Sequence, residues 1–557
     1  MKKIALFFLS IVVLHAAMVS VRFEGNHTFS SDDLYDALGI ERKWWQKILA
    51  PSKLPKVDDK LLPILFDQLK NFYTDQGFWD VKIDTLMKNN SVVFKIHEHK
   101  PIRIDSIQIT TDFPIAHLID LHKGDRFIAS KFKATKYAIE QSLLKAGFCS
   151  YDLTSKAYVW HKKHKALLVY FLQKGAPCTI GSIEVSGLKT IKKRTVLDHI
   201  FLRPNDPFTL DRVKESYRRL YSLGYFRFVN IDYSKKIKNK ILLTIDLKER
   251  QHRNIYKAGI GYDTQNGIHL NFFYKHLNMH QFQPSIDLFY SKIKKNATFK
   301  LFYPSVKLFN HSFDTLSTIA YEQNNFDAFS QKGASLGLKL LKDLYTLQGS
   351  LGIKLDRIQI YNTEPCIEAK DYTLIYPQLF AIYDRRDSKL APQNGFYFKD
   401  ALDLSITNNH FLKNSFTAGL YLPVADRLTL FSKATLGTIT SKSLPPNLLF
   451  YAGGINSNRA YTYRAITALD TNCGIGGKTL VDTTIEPRYR YNEKIQIALF
   501  WDRTYLSHKE FKLSSPVDGV GAGVIYDTPI GALRLYFGLN PRHPGQNAIN
   551  LFLGASF

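Results

Sequence analysis

The stretch nearest to a phosphate-binding loop is Asn472-Cys473-Gly474-Ile475-Gly476-Gly477-Lys478-Thr479. Such a loop cradles phosphates with backbone N–H groups and a lysine, but here Asn472 stands where its first glycine belongs. A strand-like segment also follows where a helix must open, so nucleotide binding is not expected. His161 and His164, in Trp160-His161-Lys162-Lys163-His164-Lys165, are ligand types, yet the lysines repel a cation and the run reads as a solvated hairpin turn. There is no His-Glu-x-x-His motif, and no nucleophile elbow is read from the chain. Cys149, Cys178, Cys366 and Cys473 match no zinc spacing and are too few for a disulfide scaffold. A Cys366–Cys473 bridge suits a pair of outward loops; unpaired thiols suit the sequence equally. Arg459, in a glycine-rich stretch, reads by itself as a solvated loop cation. The chain is expected to be no enzyme, with no cofactor and no metal. What remains is hydrogen-bond chemistry, set by backbone edges.

Those edges belong to two kinds of element. Lys2 and Lys3, the apolar run Ile4 to Leu14, and Ala16-Ala17 read as a signal peptide over residues 1–17, too short to span a bilayer as a helix. Three similar units then follow, over 18–100, 101–176 and 177–250. Each has a helical stretch stopped by glycine and then an aromatic residue: Gly77-Phe78, Gly147-Phe148 and Gly224-Tyr225. Each opens on an alternating strand, at Val19 to Glu24, Ile102 to Ile109 and Ile180 to Val185. The turns Gly124-Asp125-Arg126-Phe127 and Asn205-Asp206-Pro207-Phe208 run parallel in the second and third units. The order expected is strand, helix, helix, strand, strand.

From residue 251 to 557 the helical period gives way to alternating segments of spanning-strand length. They begin at 256–264 and 268–276, continue through 282–291, 296–304, 311–323, 331–341, 345–357, 372–384, 395–407, 413–422, 427–439, 480–491, 494–503, 517–526 and 531–540, and end at 549–557. That series makes about sixteen strands, an even number suited to a closed antiparallel transmembrane barrel. The connection at about 445–478, with Gly453, Gly454, Arg459 and Tyr461, is long enough to be functional. Mean hydropathy of −0.18 fits such a barrel, because lipid-facing and lumen-facing residues average out. Lysine and arginine number 75 against 49 acidic residues, spread along the chain. In an exported protein that excess suits the phosphates of outer-membrane lipids, an anionic cell surface or acidic proteins, and no nucleic acid is expected.

With these blocks in this order, the chain resembles the BamA/TamA family of outer-membrane assembly factors, whose repeats are POTRA domains. Gly453-Gly454-Ile455-Asn456-Ser457-Asn458-Arg459-Ala460-Tyr461 resembles the family's barrel-plugging loop motif, Val/Ile-Arg-Gly-Tyr/Phe, with Asn458 and Ala460 departing from it. Asp384-Arg385-Arg386-Asp387 to Phe396, Phe500-Trp501-Asp502, and Gly521-Ala522-Gly523-Val524 to Leu535 are family-like, as is the terminal Phe557. The resemblance implies α+β POTRA-like repeats, here three, before a 16-stranded barrel, with Arg459 reaching Glu486 and Asp502 in the lumen. It also implies clients: unfolded outer-membrane or autotransporter proteins, inserted or secreted through a lateral seam between the first and last strands. On one side that seam is expected to hold Tyr256, Ala258, Gly259, Ile260, Gly261 and Tyr262; on the other, Leu551, Leu553, Gly554 and Phe557. Three repeats resemble the TamA branch, which implies a TamB-type periplasmic partner, repeats in the periplasm and a barrel in the outer membrane of a Gram-negative bacterium. Alternatives are a BamA-like core insertase and a TpsB-type secretion pore.

Overall fold

The computed structural model describes residues 18–40, 54–88, 90–309, 311–389, 391–405, 410–441, 444–468, 470, 474–492, 494–528, 531–542, 545 and 547–553. The signal segment 1–17 lies outside them, as do Gly554 and Phe557 of the expected seam.

Three small sheets precede the barrel. The first joins Met18–Glu24, Lys56–Asp58, Lys82–Lys88 and Ser91–His97, the second Arg103–Thr111, Asp152–Trp160 and Lys165–Gln173. The third contains Thr179–Ser186, Phe226–Asp232, Lys236–Ile237 and Lys240–Glu249. Long helices Leu62–Asp75, Ala129–Lys145 and Leu210–Ser222 accompany them. In each case the glycine just beyond the helix is left-handed, with φ of +90° at Gly77, +91° at Gly147 and +76° at Gly224. A side chain there would strain the backbone, which is why glycine marks all three stops. In the second unit the expected first helix is only a single turn, Ala116–Leu118.

A shared capping device was not evident from the sequence. Thr28 follows Gly25, and its N–H and hydroxyl donate to the Glu98 carboxylate at 3.1 and 2.6 Å. In the third sheet Thr190 follows Gly187, and Glu249 accepts from the N–H groups of Lys189, Thr190 and Ile191 at 2.8 to 3.0 Å and from the Thr190 hydroxyl at 2.6 Å. Partial burial pushes the Glu249 carboxyl up, but these four donors outweigh it and hold the group below the usual carboxylate range. Cys149 and Cys178 form a disulfide with Cα atoms 5.9 Å apart, which corrects the unpaired-thiol alternative. Their juxtaposition comes from Cys178 N–H donating to Gly147 O at 2.9 Å, a contact that spacing along the chain does not show. Cys366 is also disulfide-bonded; Cys473, weighed as its partner, lies outside the described residues.

The chain divides into two compact units, and the division runs through the third sheet's segments. The second unit contains the barrel: sixteen strands in strict sequence order from Asn254–Asp263 to Asn547–Leu553, each neighbouring pair antiparallel. Within the described residues, each of the sixteen segments read from alternation falls on a strand. Their outer faces carry Ile319, Leu336, Leu351, Leu499, Leu535 and Phe537, all well exposed, as a lipid-facing band requires. The other face points into the lumen and holds Thr484, Glu486, Arg488, Asp502, Thr504 and Arg534, all buried. Strands Lys294–Leu308 to Leu347–Tyr361 have 15 residues each, whereas Asn254–Asp263 and Gly267–His276 have only 10. Also within the second unit, His199 and Arg219 both meet the buried Asp314 carboxylate, at 3.0 and 2.8 Å.

Candidate functional site: a pinned loop and two sheet ends

The connection between Leu428–Ser441 and Thr479–Arg490 folds back into the lumen through a tight turn. Gly453 and Gly454 both take positive φ, +101° and +90°, and Gly454 N–H donates to Tyr461 O at 2.9 Å. Alanine at either position would be strained, so the glycine pair is what lets the tip turn. Ala460, where the family pattern has glycine, is buried and is not among the left-handed residues, so its methyl group is tolerated.

The turn presents Arg459 to two carboxylates. Its Nε and Nη2 donate to Asp502 at 2.9 and 2.8 Å in a two-pronged bond, and its backbone N–H donates to the same carboxylate at 2.9 Å. Nη1 donates to Glu486. The guanidinium lies over the Phe500 and Tyr536 rings, 3.9 and 4.6 Å from their centroids. The planar fork suits such bidentate pairing and ring stacking in a way a lysine cannot match. Alternation explains why the partners converge: Glu486 sits beside outward Ile485, and Asp502 beside outward Trp501.

Several participants were missed. Arg488 Nε donates to Glu486 at 2.6 Å, Tyr536 hydroxyl donates to it at 3.2 Å, and Thr484 hydroxyl donates to Asp502 at 2.9 Å. Asn550, on the last strand, donates to Arg459 O at 2.8 Å and so ties the loop to that strand. Asn540 Nδ2 donates to the Tyr461 hydroxyl. Glycines on the wall make room for the loop. A Cβ on Gly538 would lie 2.3 Å from Arg459 O, and one on Gly519 would lie 2.2 Å from Asn458 Oδ1. In the same strand, Gly521 and Gly523 leave space for the Phe500 and Tyr536 rings. A glycine at every second position, 519, 521 and 523, was the legible signal for a wall that something packs against.

The family-like segment at 384–396 is a turn. Arg386 is bidentate to Asp384 at 3.0 and 2.8 Å and stacks on Tyr397, 4.6 Å from its centroid. Lys478 leads into a strand and binds Glu510 at 3.1 Å, so the phosphate-loop resemblance ends there. Gly333-Ala334-Ser335-Leu336-Gly337 has nucleophile-elbow spacing but lies within the strand Ser330–Leu344, without the strand-to-helix turn an elbow needs. His161 and His164 share Asp80, at 3.1 and 3.7 Å, and among the described residues no group of three such side chains is placed to hold a metal ion.

The expected seam residues on the first strand, Tyr256 to Tyr262, all lie in Asn254–Asp263, which pairs along its whole length with Gly267–His276. Tyr256, Ile260 and Tyr262 are strongly exposed. Among the described residues no ladder joins this strand to Asn547–Leu553, although the two strands approach each other and Leu551 N–H donates to the hydroxyl of Thr264, just beyond the first strand, at 3.4 Å. Leu551 and Leu553 lie in the last strand, paired with Leu535 and Leu533. The structure thus brings Arg459, Glu486 and Asp502 together, with Tyr461 nearby on the same loop, and places the two seam strands as sheet ends.

Comparison with known proteins agrees with this architecture. An Omp85 superfamily domain model matches residues 255–557, and a POTRA model described as a surface antigen variable number repeat matches 178–250. Outer membrane protein assembly factor BamA of Nitratidesulfovibrio vulgaris is 23% identical, the alignment covering 93% of this chain and 70% of that protein. BamA of Neorickettsia risticii is 20% identical, over 93% of this chain and 74% of its own. A crystal structure of Haemophilus ducreyi BamA lacking POTRA domains 1–3 superposes with a TM-score of 0.52 at 14% identity, over 81% of this chain and 98% of that one, and shows the shared fold. An antiparallel barrel with an apolar outer band and BamA relatives is an outer-membrane protein of a Gram-negative cell. The superfamily match covers more than half of the sequence, and the chain belongs to the Omp85 superfamily.

Proposed function

We propose that this protein assembles other β-barrel proteins in the outer membrane by offering unfolded clients the unpaired edge between its first and last strands. The observation that carries this reading is the sheet order: fifteen antiparallel pairings in sequence, and no ladder closing the ring among the described residues. An exposed strand edge has free donors and acceptors, and a client strand satisfies them by augmentation. In lipid each unsatisfied backbone group costs several kcal/mol, so a template lowers the barrier to insertion. The BamA relatives support the assembly role. Depleting the protein and quantifying the outer-membrane proteome tests it: many barrels should fall together. Loss of a single exported protein would instead favour a dedicated secretion pore.

As the finer reading we infer a TamA-like role in autotransporter assembly, with a TamB-type partner bound in the periplasm and three POTRA-like units over 18–100, 101–176 and 177–250. It is supported by three α+β sheets directly ahead of the barrel, each of the first two with open edge strands. Lys82–Lys88 is such an edge, exposed along nearly its whole length, and suits augmentation by an extended partner segment. Photo-crosslinking from Leu86 should capture a TamB-type protein; capture of lipoprotein partners alone would assign the BamA-like role.

A further inference from the structure

Beside the Arg459 turn is a small lumenal cavity of about 30 Å³, lined among others by Lys433, Arg459, Glu486, Arg488, Arg534 and Tyr536. Its charges do not balance. Arg459 takes Asp502 and one oxygen of Glu486, and Arg488 takes the other oxygen of Glu486. Lys433 lies 3.8 Å from Asp482. Four cations therefore stand against three carboxylates, and the cation left over is Arg534.

Arg534 lies on Gly531–Leu539, where Leu533, Leu535 and Phe537 face outward, so Arg534 and Tyr536 face the lumen. It is only 5% exposed, and its Nε is buried without a hydrogen-bond partner. Among the described residues no carboxylate pairs with it. A buried cation without a counter-charge is among the least favourable arrangements in a protein interior. Lumen water alone leaves that charge unneutralised; an anion supplies both the charge and the acceptor.

We propose that Arg534 and Arg488 hold a small inorganic anion of the halide class, chloride in the cell, in this cavity beside the pinned loop. The volume sets the class. A cavity of about 30 Å³ has room for one or two water-sized groups, which favours a monatomic ion over a bulky anion. The ion would neutralise the surplus charge around Glu486 and so strengthen the docked position of the loop. This site is independent of what the seam does with clients.

The full-length chain, purified in a non-ionic detergent and crystallised with sodium bromide, gives the direct test. An anomalous bromide peak is expected within hydrogen-bonding distance of the Arg534 guanidinium, absent in R534Q and kept in R534K. In solution, unfolding of the wild-type protein should shift upward by about 2–4 °C in chloride relative to gluconate at equal ionic strength. That shift should vanish in R534Q. Water in place of bromide in the wild-type crystal, or equal unfolding temperatures in the two salts, would overturn the proposal, as would a peak that survives in R534Q. The wild-type measurements decide the matter even if R534Q fails to fold.

Discussion

At the scale of single residues, Arg459 is held by Asp502 and Glu486 in a desolvated lumen. Removing one partner of such a group strands the others. Arg459→Ala is expected to weaken docking of the loop by about 3–5 kcal/mol, seen as faster proteolysis between residues 452 and 466 in the folded barrel. Unchanged cleavage would mean that the backbone contacts alone keep the loop in place. Gly538→Leu should produce the same phenotype by steric means, since a Cβ there already meets Arg459 O. Glu249 gives a pH-dependent case. Its folded pKa is lowered, so its contribution to stability is present above the ordinary glutamate range and is lost as pH falls through the folded value. E249Q should therefore speed amide exchange at Thr190 and Ile191 several-fold at neutral pH, and match the wild-type protein once the pH has fallen below the folded value. A difference persisting in acid would contradict the carboxylate's role.

At the scale of elements, the barrel was the most legible part of the sequence. Strands such as Ile495–Ser507 bury every second residue from Gln496 to Leu506, and that alternation is written directly in residue polarity. The helix stops were legible for a similar reason, because glycine at 77, 147 and 224 answers a backbone requirement. Pairings between distant segments were not legible. Asn550 reaches Arg459 across 91 positions, and Cys149 finds Cys178 through a third residue's hydrogen bond. The Arg459 partners were identified through resemblance to a family, since alternation places Glu486, Arg488, Asp502 and Arg534 inside the lumen without saying which pairs with which. The element-level prediction concerns the seam. Thr264→Cys with Leu551→Cys should react readily with a short bis-maleimide, because Leu551 N–H and the Thr264 hydroxyl are 3.4 Å apart. Failure of that pair to crosslink would place the strand ends elsewhere.

At the scale of the whole molecule, the loop and the seam are not separate features. The same loop that carries Arg459 is bonded to Asn550 of the last strand, and it packs against Gly538 of the strand before it. The pinned loop thus braces one side of the seam, while the other side, Asn254–Asp263, shares a ladder with its hairpin partner alone among the described residues. Unequal stiffness is therefore expected: the first hairpin moves and the last strands stay. Hydrogen exchange of the reconstituted protein should show faster exchange in Asn254–Asp263 than in Asn547–Leu553, and N550L should narrow that contrast by loosening the last strand.

The most direct measurement is client folding by the sealed seam. The chain carrying Thr264→Cys and Leu551→Cys is reconstituted in vesicles, sealed with bis-maleimide or singly blocked with a monomaleimide, and supplied with an unfolded barrel protein. Cys149, Cys178 and Cys366 are disulfide-bonded and do not compete for the reagent. The blocked protein is expected to accelerate client folding and the sealed protein is not. Full acceleration by a proven, sealed barrel would contradict it.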